Sequence, residues 1–355
     1  PLLAPFDLTT APLMRGALVR SPHGGAELVL VAHHLIVDAV SWSHLVDDLG
    51  HLSSAAGDDA GGYLPAVTTS IRDWTDRLVA SASELDAEPW RRIAAAEVAA
   101  WPTAQSSAGE RTGRHRIDPD MTARLLAHSS DAGLGVDEVL VAALTSALST
   151  SLDTDRVRVF LEGHGRESDS ASMDVTRTMG WFTSLYPVIA EMPGSSGLAA
   201  VTEAIRDGLR SVSQAGRDYG VLRYLHPDEG VRSSIALDHR EHVVFNYLGR
   251  VTHAGAEETE LVLAGPIELE RPRDANRIFG AEVNAYIDGE ALTIEWSTDD
   301  STVERLEAIV DEIVAGIRAF IEDGAEKPES FSLAGLDEDG MSKLATILAS
   351  SDGTG

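Results

Sequence analysis

The sequence predicts an α+β fold in which mixed β-sheets are packed by helices and arranged in two lobes. The chain has 355 residues, which is more than one hydrophobic core usually serves, so two sub-domains are expected. Segments with the two-residue alternation of strands and segments with the spacing of amphipathic helices follow one another along the chain. No repeat with a period of roughly 20–50 residues is evident.

The first elements are predicted to be two strands and a helix. Residues 13–19 and 27–33 read as strands that are joined by a turn rich in Gly and Pro. The apolar run at 28–31 is continuous, as in a strand that is buried on both faces. Ser41 is the predicted N-cap of a helix that carries Leu45, Val46 and Leu49 on one side.

Further along, the polar segment 102–114 is the predicted connection between the lobes. A strand is expected at 157–161, and the dipeptide Asp288-Gly289 predicts a β-hairpin. A long amphipathic helix is expected over 303–320, ending at Gly324. Helical spacing also occurs at Ile71, Trp74 and Leu78, at Leu125 and Leu126, and at Val139, Leu140, Ala143 and Leu144.

Composition excludes several classes of function. The formal net charge of −29 argues against a nucleic-acid or anionic-membrane partner, because both require a basic surface. No stretch approaches the roughly 20 apolar residues of a membrane span. Cysteine is absent, which excludes disulfides, thiolate metal sites and a Cys nucleophile. The simplest expectation is a cytoplasmic protein.

The most informative segment is His33-His34-Leu35-Ile36-Val37-Asp38-Ala39-Val40-Ser41-Trp42. It resembles the HHxxxDxxSW motif of the condensation/epimerization superfamily of nonribosomal peptide synthetases, and Ala39 and the Val-Ser-Trp ending resemble the epimerization branch. The resemblance implies a chloramphenicol-acetyltransferase-like, V-shaped pseudo-dimer with an active-site tunnel between its lobes. The lobes are expected at 1–108 and 109–355, with the first incomplete because the early part of the family pattern is absent.

His34 is the first candidate for catalysis, since histidine exchanges protons near neutral pH. The structural alternative, that His33 and His34 are ordinary core or surface histidines, is less consistent with Asp38, Ser41 and Trp42 at the family spacing. A metal site is rejected, because adjacent strand residues point to opposite faces. Asp38 is expected to hold the loop through a salt bridge, and Arg177 is the predicted partner because Arg offers a bidentate fork.

Glu162 is the second candidate. It begins the segment Glu162-Gly163-His164-Gly165-Arg166-Glu167, which resembles a hallmark of epimerization domains, and the resemblance assigns proton transfer to Glu162. If the strand continues, Glu162, His164 and Arg166 project to one face. The alternate glycines then allow close approach of either another backbone or a substrate arm. Glu167 is the alternative if the strand is interrupted.

Later segments strengthen the resemblance. Residues 177–187 resemble the RTxGWFTxxxP segment, and residues 219–224, 245–249 and 331–344 resemble further parts of the family pattern. A developing enolate oxygen would be supported either by His34 as imidazolium or by Asn246 and Tyr247 as hydrogen-bond donors, and this choice stays open.

The function that the resemblance implies is inversion of the Cα centre of an aminoacyl or peptidyl thioester. The substrate would be carried on the 4′-phosphopantetheine of an upstream peptidyl carrier protein, with a condensation domain as a further neighbour downstream, and without a cofactor or metal of the domain's own. Whether His34 or Glu162 is the base toward the L form stays open. The alternatives are a condensation domain, in which His34 helps an amine attack a thioester, and a non-catalytic docking platform of the same fold.

Overall fold

The computed structural model describes residue 2 and residues 4–21, 25–54, 64–66, 69–102, 109–167, 173–192, 197–211, 216–251 and 277–325. The strands are β1 (Met14–Arg20), β2 (Ala26–Ala32), β3 (Glu110–Arg116), β4 (Arg156–Gly163), β5 (Ser184–Glu191), β6 (Val243–Val251), β7 (Ala281–Asp288) and β8 (Ala291–Asp299). The helices are α1 (Ala39–Ser54), α2 (Ile71–Ser81), α3 (Glu88–Ala95), α4 (Pro119–Asp131), α5 (Val136–Leu152), α6 (Leu198–Ser211), α7 (Arg217–Gly220), α8 (Glu229–Ser234) and α9 (Val303–Ala325). The predicted α+β class is confirmed.

Strands β1 and β2 form a two-stranded antiparallel ribbon, in which Leu18 pairs with Leu28. The prediction that residues 28–31 are buried on both faces is wrong, because Leu18 and Leu28 remain 58% and 47% exposed. A two-stranded ribbon has no neighbouring strands on either edge, and nothing in the described part of the chain covers its outer face.

The other six strands form one mixed sheet in the order β3-β8-β7-β6-β4-β5. Strand β6 runs parallel to β4 and β7, and the remaining pairs are antiparallel. Helix α5 lies at the centre of the core, with nine buried residues in its seventeen, and it packs against α6 and α9. Burial alternates along β7, as the hairpin pattern predicts, and places Val283 and Ala285 in this core, whereas β8, which contributes Ile294, is buried along most of its length.

The hairpin turn has Gly289 at φ 62°, with Asp288 paired to Ala291. Only the first of its two central residues has a positive φ, which is the type II′ geometry that requires glycine at this position. The dipeptide therefore predicts the hairpin correctly, and Gly289 and Glu290 form the loop.

The predicted connection at 102–114 is partly wrong. Residues 110–116 form β3, which pairs with β8 along its whole length, whereas 103–108 lie outside the described residues. Trp90 and Trp101 precede this segment in sequence and yet belong to the core of the six-stranded sheet. The division of the chain at residue 108 stays a prediction.

Among the described helices, no single one is long and apolar enough to span a membrane. Helices α4 and α5 together pass that test of length and composition, but they bend by 106° at the break between them.

Candidate active site

The two histidines lie where β2 ends, and they have different surroundings. His33 caps a 3₁₀ turn over His34–Ile36, and its Nδ1 accepts a hydrogen bond from the backbone N–H of Leu35 at 3.1 Å. The backbone N–H of His33 donates to the carbonyl of Leu13 at 2.9 Å. His34 is exposed, and its ring contacts the ring of Trp181 at a centroid distance of 4.5 Å. The second histidine is therefore the one that is available to a substrate.

Asp38 begins helix α1. Its Oδ1 accepts a hydrogen bond of 2.7 Å from the backbone N–H of Ser41, and its carbonyl accepts from the backbone N–H of Trp42 at 3.0 Å. These are the contacts of an N-cap residue, whose side chain satisfies a free N–H in the first turn. The prediction that Ser41 caps the helix is therefore wrong, because Ser41 is three positions inside it. Trp42 is half-buried in the same turn.

The salt-bridge partner of Asp38 is Arg166, so the prediction of Arg177 is wrong. The Nη2 of Arg166 donates to Oδ1 and Oδ2 of Asp38 at 2.9 and 3.1 Å, and both side chains are nearly buried, at 5% and 4% exposure. Arg177 instead pairs with Asp48 on α1. Both pairs join α1 to the segment that follows β4, and the choice of partner depends on how that segment folds back.

The segment folds back because β4 ends at Gly163 and the chain turns at Gly165, where φ is +66°. The expectation that Glu162, His164 and Arg166 share one strand face is therefore wrong. A Cβ on Gly165 would lie 1.7 Å from the carbonyl oxygen of Phe182, so the close approach that this glycine allows is that of another backbone. The turn sends Arg166 into the protein interior.

His164 and Glu167 lie beside this turn. The Nδ1 of His164 accepts from the backbone N–H of Arg166 at 3.1 Å, and its Nε2 lies 3.1 Å from Oε1 of Glu167. The carbonyl of Glu167 accepts from Arg217 at 2.5 Å. Both residues therefore support the turn, and Glu167 does not stand in the place of Glu162.

Arg166 and Ser41 connect α1 to the stretch around residue 180. The Nη1 of Arg166 donates to the carbonyls of Val175 and Thr178 at 2.8 and 2.7 Å. The hydroxyl of Ser41 donates to the carbonyl of Gly180 at 3.0 Å and accepts from its N–H at 3.1 Å. Ser41 is thus a buried bridge between two segments, a role that sequence spacing does not reveal.

Burial of Asp38 would raise its pKa, but the opposing contacts are stronger. Hydrogen bonds from the backbone N–H groups of Ser41 and Phe182, together with the charge of Arg166, lower the pKa of Asp38 below its ordinary value. Asp38 is therefore an ionised structural carboxylate.

Glu162 differs from Asp38 in both its exposure and the direction of its pKa shift. It lies at the end of β4 with an exposed side chain, and its Oε2 accepts a hydrogen bond of 2.7 Å from Nδ2 of Asn246 on β6. Partial desolvation against the sheet face raises the pKa of Glu162 above its ordinary value, and the carboxylate of Glu282 raises it further, while His34 acts in the opposite direction. His34 follows the two-stranded ribbon and Glu162 lies near the end of β4 in the six-stranded sheet, so the charge of His34 acts on Glu162 from another sheet.

Asn246 and Tyr247 are neighbours on β6 and point to opposite faces. Asn246 faces Glu162, whereas Tyr247 is level with the buried Ala285 of β7 and packs against the hydrophobic core. Desolvation and the charge of Asp137 raise the pKa of Tyr247, and this rise exceeds the lowering caused by Arg250. The expectation that both residues serve one enolate oxygen therefore fails for Tyr247.

Trp181 is the site residue that motif reasoning passed over. Its side chain is 49% exposed, which is unusual for so large an apolar residue in a stretch that packs against α1. The signal was present in the Gly-Trp-Phe triplet at 180–182, because both neighbours of the tryptophan contact the Asp38 segment. Within the described residues, no cluster of three or more His, Asp or Glu side chains has the geometry to hold a metal ion.

The family model named Condensation domain matches residues 2–341, so the chain belongs to the condensation-domain family. In solved structures it is similar to the epimerization domain from the third module of tyrocidine synthetase B, with a TM-score of 0.75 and 27% identity over 89% of this chain and 74% of that one. A condensation-domain structure from the enacyloxin polyketide synthase has a TM-score of 0.65 at 20% identity, over 90% of this chain and 62% of that one. The condensation-type fold is thus confirmed.

Curated relatives are large synthases. The chain is 31% identical to tyrocidine synthase 2 of Brevibacillus parabrevis over 362 residues, which is 97% of this chain and 10% of that protein. It is 28% identical to tyrocidine synthase 1 of the same organism over 382 residues, covering 97% of this chain and 34% of that protein. The chain therefore spans only a minor part of the length of each of these two relatives.

Proposed function

We propose that this domain inverts the Cα centre of an aminoacyl or peptidyl thioester that a carrier protein presents. The observation that carries the proposal is the presence of two exposed groups able to transfer protons, His34 against the Trp181 ring and Glu162 held by Asn246, with the charge of His34 acting on Glu162. The similarity to a solved epimerization domain supports it.

The reaction requires one group to take the α-proton and a second group to deliver a proton to the opposite face of Cα. The electron pair left by the first transfer is held as the enolate of the thioester until the second transfer restores the C–H bond. A carboxyl whose pKa is raised toward neutrality is a better base than an ordinary glutamate, and the shift at Glu162 has that direction. His34 and Glu162 then exchange roles when the reaction runs in reverse.

Asn246 fits this chemistry as a positioning residue. Its Nδ2 holds Oε2 of Glu162 at 2.7 Å, which leaves Oε1 to approach the substrate. Arg166 and Asp38 act further away, because they fix the segment that carries His34 relative to the end of β4.

The reaction also involves a carrier protein, its phosphopantetheine arm and a downstream domain. The thiol comes with the substrate on the phosphopantetheine arm of an upstream carrier protein, so the domain itself supplies only acid and base groups and has no cofactor of its own. A downstream condensation domain is the proposed consumer of the inverted residue. A tunnel between lobes 1–108 and 109–355 in a cytoplasmic synthetase is the setting that fits this reaction.

The experiment uses a carrier protein loaded with a panel of aminoacyl and dipeptidyl thioesters, with chiral analysis after release. We expect D-residues to form from L-thioesters, and Glu162→Gln and His34→Ala to reduce inversion by at least about 100-fold. The matched control is Glu191→Gln, at the other end of the β4–β5 pair, where Glu191 forms an exposed salt bridge with Arg156. Full activity of Glu162→Gln contradicts the proposal.

The second candidate is peptide-bond formation, which is favoured by the several condensation domains among the structures with this fold. The same assay separates the two when a second carrier with an acceptor aminoacyl group is present. Dipeptide formation without inversion indicates condensation. Neither product, together with stable binding of the carrier, indicates the docking platform.

A further inference from the structure

We infer that Trp181 is the residue that positions the imidazole of His34, and that the buried pair of Asp38 and Arg166 serves catalysis by holding Trp181 in place. The inference rests on the proposed function and adds a residue to its machinery. Its basis is the set of contacts that surround the His34 ring.

A catalytic histidine is commonly oriented by a hydrogen bond from its second ring nitrogen to a carboxylate or carbonyl. The ring of His34 has no such bond to any of the residues that the structure describes, and Asp38, the acid of its motif, is turned away to cap α1. The ring contact is instead with Trp181, at a centroid distance of 4.5 Å and an interplanar angle of 40°. An aromatic face therefore takes the place of the orienting hydrogen bond.

Trp181 in turn is held through its two neighbours. The N–H and carbonyl of Gly180 both bond to the hydroxyl of Ser41, and the N–H of Phe182 donates to Oδ2 of Asp38 at 3.2 Å. Arg166 completes the clamp, because its guanidinium lies 4.1 Å from the centroid of the Phe182 ring while it bonds to Asp38. The backbone on either side of Trp181 is thus fixed to the same helix start that follows His34.

The indole of Trp181 also contributes an electrostatic interaction, in addition to packing. Its electron-rich face can pack against the imidazole ring and can also make a cation–π contact with the imidazolium that forms when His34 takes the α-proton. At 49% exposure, the indole is accessible to a substrate that reaches His34. A smaller side chain at this position leaves the His34 ring free to rotate.

Deuterium exchange distinguishes this role from a structural one. In D₂O, an enantiomer whose α-proton faces Glu162 loses it to Glu162 and can regain a deuteron from the same group, so it exchanges without inversion. Inversion needs both groups. A misplaced His34 therefore lowers inversion strongly and leaves the Glu162-side exchange of one enantiomer unchanged.

The test compares Trp181→Ala with His34→Ala and Glu162→Gln, on the best substrate of the thioester panel in both enantiomeric forms. We expect Trp181→Ala to lower the kcat for inversion by about 10- to 100-fold with KM changed less than about twofold, and to retain exchange of the same enantiomer as His34→Ala. Glu162→Gln should retain exchange of the other enantiomer. Trp181→Phe should restore at least about a third of the activity, because a ring is again present.

The control is Tyr224→Ala, which removes another exposed aromatic side chain, at 60% exposure, from a different element. Equal loss of both exchange and inversion in Trp181→Ala, or inversion within twofold of the wild type, overturns the inference. If His34→Ala and Glu162→Gln are themselves fully active, the proposed function fails instead, so the two failures are distinguishable.

Discussion

Two carboxylates of the site have opposite environments. Asp38 is 4% exposed at its side chain, accepts hydrogen bonds from Ser41, Phe182 and Arg166, and has a lowered pKa. Glu162 is exposed, accepts its one described hydrogen bond from Asn246, and has a raised pKa. The comparison separates a carboxylate that holds structure from one that is suited to moving protons, as expected where environment sets the role of an acid.

The largest effect should come from removing the partner of the buried carboxylate. Arg166→Met leaves Asp38 ionised and without its cation, which typically costs about 3–5 kcal/mol in the free energy of unfolding. Urea denaturation at neutral pH measures the loss. Arg156→Met is the control, because its pair with Glu191 is exposed at 43% and 66% and should change stability by less than about 1 kcal/mol. Similar losses in both variants would remove the distinction between the two environments.

The turn at Gly165 is the next feature to test. It separates Glu162, near the end of β4, from Arg166, which pairs with Asp38. Gly165→Ala places a Cβ on a residue whose φ is +66° and only 1.7 Å from the Phe182 carbonyl oxygen, so we expect a loss of about 2–4 kcal/mol in the free energy of unfolding. Gly133→Ala is the matched control, because φ is +63° there and nothing lies within 4 Å of the added Cβ. Its cost should be about 1–2 kcal/mol, that of the left-handed backbone alone. Equal losses would show that the Phe182 backbone can move away.

The exposed carboxylate should respond to pH in the opposite sense to a structural acid. Since the pKa of Glu162 is raised in the folded state, folding binds protons there, and stability is lost as pH rises from the ordinary Glu value through the folded value. Glu162→Gln keeps the acceptor for Asn246 and should therefore be more stable than wild type at neutral pH and equal to it in acid. Thermal melting between about pH 4 and 8 checks this. A constant difference across that range would contradict the shift.

The stability contributed by Asp38 should have the reverse pH dependence. Its lowered pKa means that its contribution is present above the ordinary Asp value and is lost as pH falls through the folded value. The stability gap between wild type and Asp38→Asn should therefore shrink in acid, and urea midpoints measured down to about pH 3 would show whether it does.

Local sequence patterns predicted most elements. Alternation identified β7 and β8, and helical spacing identified α2, α5 and α9, because periods of two and 3.6 residues are imposed by each element's own geometry. The long-range partners were not predictable in this way. Arg166 and Arg177 both lie between β4 and β5, and it is Arg166, which follows the turn at Gly165, that reaches Asp38.

For the candidate site, too, only the residues that belong to local motifs could be predicted from the sequence. His34 and Glu162 come from local motifs, and their catalytic roles stay predictions. Trp181 has no acid–base chemistry of its own, so no motif logic singled it out, although its contact with His34 is the closest ring pair at the site. Residues that act through another side chain are identified only when the contact itself is known.

The smallest effect is expected at Tyr247, and it separates the two faces of β6. Tyr247→Phe removes a hydroxyl on the core side of the sheet, level with Ala285, whereas Asn246→Ala removes the hydrogen bond to Glu162 on the other side. We expect the inversion rate of Tyr247→Phe to stay within about twofold of wild type and that of Asn246→Ala to fall by about tenfold, the effect of one lost hydrogen bond to a charged group. Single-turnover inversion assays measure both. If Tyr247→Phe were the more damaging change, the phenol would have to reach the substrate, and the face that Asn246 and Glu162 share would no longer define the site.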